Sequence, residues 1–136
     1  MEKFIFSVMA TVTSGTIVFI VGQIIVECFV KPMQEFKKIK SEISYLLVLH
    51  ANKYHNPIIG RDEKYEKSAE EIRTVAAKLE GFKQIKPFFV RKDNIEQAKR
   101  GLIGISNGFC CTSYENETVG HNREFEKDVK EALHLK

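Results

Sequence analysis

The chain has 136 residues, of which 43% are hydrophobic and 29% charged, and its formal net charge is +3. This length excludes a large two-domain enzyme, and a single apolar run of membrane length excludes a transporter with several spans. The averages hide two different regions. Residues 4–26 contain no Asp, Glu, Lys, Arg or His, whereas the chain from Lys31 onward is densely charged. The composition therefore predicts a membrane anchor followed by a water-exposed domain.

The uncharged run of 23 residues is long enough to cross a bilayer, which needs about 20 mostly apolar helical residues. A cleavable signal peptide is the main alternative. It would begin with basic residues, have a shorter apolar stretch and end at small residues. Here the run ends at Glu27-Cys28-Phe29-Val30-Lys31-Pro32, which is a poor cleavage site. We predict a retained transmembrane anchor over residues 1–30 and a separate domain over residues 31–136.

The charges that flank the run predict its orientation. Only Glu2 and Lys3 precede it, and a basic cluster follows it closely. By the positive-inside rule, the N-terminus lies outside and the C-terminal domain lies in the cytoplasm. The clustered lysines are also candidate contacts for anionic lipid headgroups, although topology alone accounts for them. These lysines are Lys31, Lys37, Lys38 and Lys40.

Small and polar residues divide the predicted span into two faces. One stripe at helical spacing allows close approach of a second helix, because packing drives helix association in lipid. Gln23 and Glu27 lie one turn apart, roughly opposite, with Thr13 and Thr16. These two either line a shared polar interior or reach the headgroups. We expect a homo-oligomer, and its candidate packing or pore-lining residues are Ser7, Thr11, Ser14, Gly15, Gly22, Gln23 and Glu27.

Helical periodicity predicts an all-α cytoplasmic domain built as a small helical bundle. The first two helices, over about 33–55 and from Tyr65 to a stop at Gly81, are expected to form an antiparallel hairpin. An apolar connector then leads to a third helix, which Asp93 and Glu96 would cap and which continues to Phe109. Residues 110–120 read as a loop, residues 123–135 as the last helix, and no segment is a convincing strand.

Three glycines interrupt the apolar pattern of the third cytoplasmic helix. A helix interior tolerates glycine, at about 1 kcal/mol each, where another backbone approaches closely. We expect this face to pack against the first cytoplasmic helix, with hydrogen bonds across the contact. A phosphate-binding loop fits poorly, because no Gly-Lys-Ser/Thr follows. The residues assigned to this packing are Gly101, Gly104, Ser106, Asn107 and Gly108.

No pattern predicts a catalytic residue, a metal site or a cofactor. Cys110 and Cys111 are adjacent and lack the spacing of a zinc or redox motif. His50 and His55 are five residues apart, on different helix faces, and His50 reads as a core histidine. His121, with the two residues after it, reads as a solvated helix cap, or less favourably as an anion site.

Three segments resemble a widespread family of small bacterial single-pass membrane proteins of no established activity. The matching segments are Val18-Phe19-Ile20-Val21-Gly22-Gln23-Ile24-Ile25 running into Lys31-Pro32-Met33-Gln34-Glu35-Phe36-Lys37-Lys38, Leu49-His50-Ala51-Asn52-Lys53-Tyr54-His55-Asn56-Pro57, and Leu102-Ile103-Gly104-Ile105-Ser106-Asn107-Gly108-Phe109. The resemblance implies a bacterial inner-membrane protein with a helical cytoplasmic domain.

A looser similarity is to the accessory membrane proteins of type VI CRISPR systems, which have a HEPN-related domain and assemble into pores. It implies an antiphage-defence effector that forms a membrane pore. The HEPN pattern of Arg followed four to six residues later by His is missing at every arginine. We therefore expect a non-enzymatic, self-associating membrane protein. The alternatives are a membrane-tethered HEPN-like RNA-binding or RNase module and a scaffold for a cytoplasmic protein partner.

Overall fold

The computed structural model describes the backbone of residues 1–60, 62–84, 90–111 and 116–135, without the side chains of residues 59, 110, 111, 116 and 117. Nearly all of this chain is helical, which confirms the predicted all-α class, an apolar N-terminal helix followed by a helical domain. The elements are α1 (Glu2–Ile25), a π-helical segment (Val26–Val30), α2 (Lys31–His55), β1 (Ile58–Ile59), α3 (Glu63–Gln84), α4 (Lys92–Asn107), β2 (Cys110–Cys111) and α5 (Asn116–Leu133).

Internal contacts divide the chain into two compact units, residues 1–35 and residues 36–136. In the first unit, α1 contains no buried residue, and its large apolar side chains are exposed along its whole length. It is long and apolar enough to cross a membrane. The π-helical segment follows, and the Lys31 N–H donates to the Val26 carbonyl at its end.

In the second unit, α2 and α3 pack side by side and run in opposite directions. Lys78 Nζ lies 2.6 Å from Glu42 Oε1, and His50 Nε2 lies 2.8 Å from Glu71 Oε2. Residue numbers rise along α2 while those of their partners fall along α3. These contacts form the antiparallel hairpin that the periodicity predicts.

The remaining helices continue this alternation. From α3 to α4, Lys83 pairs with Glu96 near one end, and Arg73 reaches Ser106 near the other. From α4 to α5, Gln97 Nε2 lies 3.4 Å from Asp128 Oδ1. The α5 helix then returns to α2, where Asn122 and Glu126 of α5 contact Tyr54 and His55. Each of α2 to α5 therefore runs antiparallel to the helices beside it.

The apolar stripes of the four helices meet in one core. Its largest fully buried side chains include Tyr54, Phe82 and Phe109. Burying a large apolar side chain stabilises the fold by about 1.5–3 kcal/mol. Tyr54 and Phe109 meet edge to face with ring centroids 6.2 Å apart, while Phe82 stacks on Phe36 at 5.1 Å. The aromatic residues thus join α2 to α3 and to the end of α4.

Two helices end or begin at residues other than those predicted from the sequence. Gly81 does not end α3, which continues to Gln84, because the buried Phe82 holds the extra turn in the core. Asp93 does not cap α4 either. The N-cap is Arg91, and it makes no side-chain capping bond. The Glu96 carboxylate binds Lys83 and Lys99 instead of reaching back to the helix start.

Both described parts of the segment expected to be a loop, residues 110–111 and 116–120, are regular structure, and residues 112–115 lie outside the described residues. The α5 helix begins at Asn116, earlier than the expected start at 123. Before it, β1 and β2 form a minimal parallel pair in which Ile58 faces Cys110 and Ile59 faces Cys111. Each strand has only two residues, which is too short for the alternation of apolar and polar residues that predicts a strand. Of the predicted apolar connector, Ile85, Pro87, Phe88 and Phe89 lie outside the described residues, and Val90 packs against the core.

Candidate functional site

The small-residue face of α1 consists of Ser7, Thr11, Ser14, Gly15 and Gly22, and no other element of residues 1–35 packs against it. A Cβ placed on Gly15 or Gly22 would have no atom within 4 Å outside the immediate helix backbone. The other stripe residues, Ser7, Thr11 and Ser14, are exposed as well. Nothing within the described chain therefore explains why this face is small.

Four hydroxyl groups of α1, those of Thr11, Thr13, Ser14 and Thr16, are bonded within the helix. Thr11 donates to the Ser7 carbonyl at 3.0 Å and Ser14 donates to the Thr11 carbonyl at 2.9 Å. On the other face, Thr13 and Thr16 donate to carbonyl oxygens four residues earlier, at 2.8 and 2.9 Å. In lipid, a polar group must be satisfied by protein. These hydroxyls meet that requirement without a partner helix.

Gln23 and Glu27 differ in how their polar groups are satisfied. Glu27 forms an ion pair with Lys31 one turn later, and both side chains are more than half exposed. The Gln23 side chain is exposed, and no described residue bonds to its amide. Of the two residues assigned to a polar interior, Gln23 is the one left without a partner.

The predicted headgroup lysines lie on the first turns of α2. Lys37 and Lys38 are exposed, and Lys40 is half-buried with Nζ 5.9 Å from the centre of the Phe36 ring. Lys31 binds Glu27 as described above. The structure thus leaves the ammonium groups of Lys37 and Lys38 open to solvent or to anionic headgroups.

The glycines of α4 lie against α5, not against the first cytoplasmic helix as expected. A Cβ on Gly101 would lie 2.6 Å from Val129 Cγ2 and 2.9 Å from the Phe125 carbonyl oxygen. One on Gly104 would lie 2.6 Å from the Phe125 ring. All three distances are shorter than real Cβ contacts. The helix order explains the difference in partner, because α4 lies between α3 and α5.

Ser106 and Asn107 make their bonds on the other side of α4. Arg73 of α3 donates from Nε to Ser106 Oγ at 3.2 Å and from its terminal nitrogen to Asn107 Oδ1 at 3.1 Å. Ser106 itself donates to the Ile103 carbonyl. The five residues assigned to one packing face are therefore divided between two interfaces of the bundle.

Asn122 is a buried polar residue that sequence reasoning missed. It is only 1% exposed, and it lies inside α5 rather than in a solvated cap. Its Nδ2 donates to the Tyr54 carbonyl at 2.7 Å and to the Gly108 carbonyl at 3.1 Å. One amide thus joins α5 to the C-terminal ends of α2 and α4. Its neighbours His121 and Arg123 are exposed.

A polar group surrounds Glu126 where α5 meets the end of α2. Its carboxylate lies 3.1 Å from His55 Nε2 and 2.6 Å from Lys130 Nζ. The Tyr54 hydroxyl donates to the Leu47 carbonyl, and burial, followed by the charge of Glu126, raises the pKa of Tyr54 well above its usual range. His55 Nδ1 is buried without a hydrogen-bond partner. This arrangement holds a histidine and a carboxylate together.

A charge network joins α3 to α4 on the surface of the bundle. Glu96 accepts bonds from Lys83 at 2.6 Å and Lys99 at 2.9 Å, and these bonds lower the pKa of Glu96 to about 2. Lys99 also binds Glu80, and the bonds from Glu96 and Glu80 raise the pKa of Lys99. The ion pairs of this network connect α3 to α4.

His50 lies in the core, as its position on the apolar stripe predicts. It is 5% exposed, and its ring meets Phe109 edge to face at 6.2 Å. The described residues contain no group of three or more His, Cys, Asp or Glu side chains placed to hold a metal ion. The side chains of Cys110 and Cys111 lie outside that description.

No known protein family, characterised protein or solved structure matches this chain.

Proposed function

We propose that this protein is a single-pass inner-membrane protein that self-associates through the small-residue face of α1 and carries its helical domain in the cytoplasm. The observation that carries the proposal is the open space at Gly15 and Gly22. Each glycine lowers helix stability by about 1 kcal/mol relative to alanine in water. No contact inside the described chain offsets that cost, whereas a second copy packed on this face would.

The chemistry of the face suits association in lipid. Small residues let two helix backbones approach closely, and packing rather than burial from water drives the contact. Because Thr11 and Ser14 bond to their own backbone, the face presents little unsatisfied polarity. A tightly packed helix pair or ring is therefore favoured over a loose, hydrated contact.

The charge distribution supports the proposed topology. The N-terminal flank carries Glu2 and Lys3, whereas Lys37 and Lys38 follow the apolar helix and are exposed. Exposed lysines on the cytoplasmic side are retained there and are attracted to anionic lipid. This arrangement supports a cytoplasmic position for the four-helix domain.

Cysteine crosslinking in membranes tests self-association. In a chain with Cys28, Cys110 and Cys111 replaced by serine, Ser14→Cys would place a thiol on the small-residue face. Thr16→Cys is the matched control, at nearly the same depth on the opposite face. We expect strong disulfide-linked dimer from Ser14→Cys and little from Thr16→Cys. Equal yields from both would contradict the proposed face.

A membrane pore is the second candidate, and the unpartnered Gln23 amide favours it. If α1 helices assemble in a ring, this amide faces water in the lumen instead of lipid. Purified protein should then release dye from vesicles, and Gln23→Leu should abolish release. Gln34→Leu, which lies beyond the span, is the control and should leave release unchanged. Absence of release from vesicles that contain crosslinkable oligomer would eliminate the pore and keep self-association.

The antiphage-defence role and the RNA-directed alternative rest on the resemblance alone and stay predictions.

A further inference from the structure

A groove of about 360 Å³ lies between the C-terminal turns of α2 and the first turns of α3. Three lysines line it, Lys53 from α2 and Lys64 and Lys67 from α3, together with one acidic residue, Glu71. The excess of positive charge is confined to the lining, because Glu63 and Glu66 lie outside it on the same turns of α3. The groove therefore has the electrostatic character of an anion site.

Two of these lysines lie at the start of α3. Lys64 and Lys67 lie in its first turns, and the helix begins at Glu63. The acidic residues Glu63 and Glu66 of the first turn already balance the partial positive charge of this helix end. Across the described ranges, neither lysine ammonium group has an ion-pair partner. A bound anion would pair with both ammonium groups.

The floor of the groove is built from buried, bonded side chains. His50 and Ser68 are 5% and 2% exposed and both line the groove. Ser68 donates to the Lys64 carbonyl at 2.9 Å and accepts from Lys53 Nζ. Lys53 Nζ also donates to the Lys64 carbonyl and lies 5.7 Å from the centre of the Tyr65 ring. These contacts hold one ammonium in place before any ligand arrives, which lowers the entropy cost of binding.

We propose that this groove binds the phosphate group of a small phosphorylated molecule. Lysine ammonium groups bind phosphate as point charges, and three of them surround the groove. Its volume lies at the lower end of the range for small-molecule sites, which runs from about 300 to 1,000 Å³. Leu49, 51% exposed beside the lysines, offers an apolar wall for the part of the ligand that bears the phosphate.

A free phosphate compound and a phospholipid headgroup present the same chemistry to these lysines. The inference is independent of self-association through α1, because every residue that carries it lies in α2 or α3. Failure of the crosslinking experiment would leave this groove untouched, and failure of phosphate binding would leave the proposed function of α1 untouched.

Calorimetry on the full chain in an uncharged detergent tests the proposal with two probes. Inorganic pyrophosphate represents the free compound, and short-chain phosphatidic acid, measured against short-chain phosphatidylcholine, represents the headgroup. We expect saturable binding of at least one phosphate probe. Lys64→Gln and Lys67→Gln should each weaken it about tenfold, as for the loss of one bond to a charged group.

The charge-matched control is Lys92→Gln, which removes one exposed lysine at the start of α4, outside the groove. Binding that the groove variants weaken and this control leaves unchanged would support the site, and the better probe would identify the source of phosphate. Thermal unfolding of each variant checks that the bundle is intact. Lack of saturable binding by both probes, or an equal loss in the control, would overturn the proposal.

Discussion

Two helices of this protein carry spaced glycines, and their surroundings are opposite. In α4, Gly101 and Gly104 lie so close to α5 that a methyl group would collide with Val129 or Phe125. In α1, Gly15 and Gly22 face open space. The first pair is explained within the chain, and the second is not. Spaced glycines thus indicate that something approaches closely, but they do not say what approaches.

The hydroxyl groups of α4 and α1 also differ in whether they bond to a neighbouring helix. Ser106 of α4 accepts a bond from Arg73 of the neighbouring helix, so it contributes to the cohesion of the bundle. Thr11 and Ser14 of α1 bond only to their own helix backbone. Ser106 thus joins two helices of the bundle, whereas the hydroxyls of Thr11 and Ser14 are satisfied within α1. Hydroxyls that bond to their own helix backbone are what a helix in lipid would need.

The largest effect on the bundle is expected from Asn122→Ala. It removes the donor shared by the buried Tyr54 carbonyl and the part-buried Gly108 carbonyl, which should lower the free energy of unfolding by about 3 kcal/mol. Denaturant unfolding of the full chain in detergent, followed by circular dichroism, measures the change. Asn107→Ala, which removes an exposed amide, is the control. A loss as small as that of the control would show that Asn122 does not tie the helix ends together.

Glycine-to-alanine substitution at a packed position and at an open position should change the free energy of unfolding in opposite directions. Gly101→Ala should destabilise the bundle by about 1–3 kcal/mol, because the methyl group overpacks the contact with Val129. Gly81→Ala places the same methyl group in α3, where nothing lies within 4 Å, and should stabilise by about 1 kcal/mol. Opposite signs in denaturant unfolding are the expected result. Equal effects would mean that helix propensity alone governs both positions.

Acid should weaken the α3–α4 interface through Glu96. The pKa of Glu96 is lowered from 4.5 to about 2, chiefly by bonds from Lys83 and Lys99. The Glu96 carboxyl therefore binds its proton more weakly in the folded chain than in the unfolded chain. The associated stability is fully present above pH 4.5 and is lost as the pH falls from about 4.5 to about 2. Glu96→Gln should therefore flatten the decline in melting temperature across this window.

Glu124→Gln is the control for that measurement, because Glu124 lies on an exposed face of α5. It should leave the decline in melting temperature as it is in the original chain. A Glu96→Gln profile that runs parallel to that of the original chain from pH 5 to pH 2.5 would contradict the assignment of the acid-sensitive contact to Glu96.

The smallest effect on the bundle is expected from enlarging the glycines of α1. Gly15→Leu with Gly22→Leu should change the unfolding of residues 36–136 by less than about 0.5 kcal/mol, because a Cβ at these positions meets no described atom beyond the nearby helix backbone. The same pair should sharply reduce the dimer crosslinked through Ser14→Cys. A crosslinking yield that is unchanged by the two leucines would show that this face is not the contact.

Much of the fold could be predicted from periodicity. The apolar positions of α2 and α4 were identified correctly, and Ile43, Leu47, Ile95 and Leu102 are all buried. The predicted ends were less accurate. Gly81 and Asp93 are strong local signals, but the burial of Phe82 and the capture of Glu96 by two lysines outweighed them. Local signals are worth about 1 kcal/mol, and burial of one aromatic side chain exceeds that.

The sequence by itself determined that an uncharged helix precedes a four-helix domain, and which face of each helix is apolar. Hydrophobic spacing carries that information because it depends only on the geometry of one helix. The tertiary structure alone decided that the α4 glycines meet α5, that Asn122 joins three helices, and that Lys53, Lys64 and Lys67 surround one groove. These facts depend on which helices become neighbours, and a one-dimensional pattern does not encode that choice.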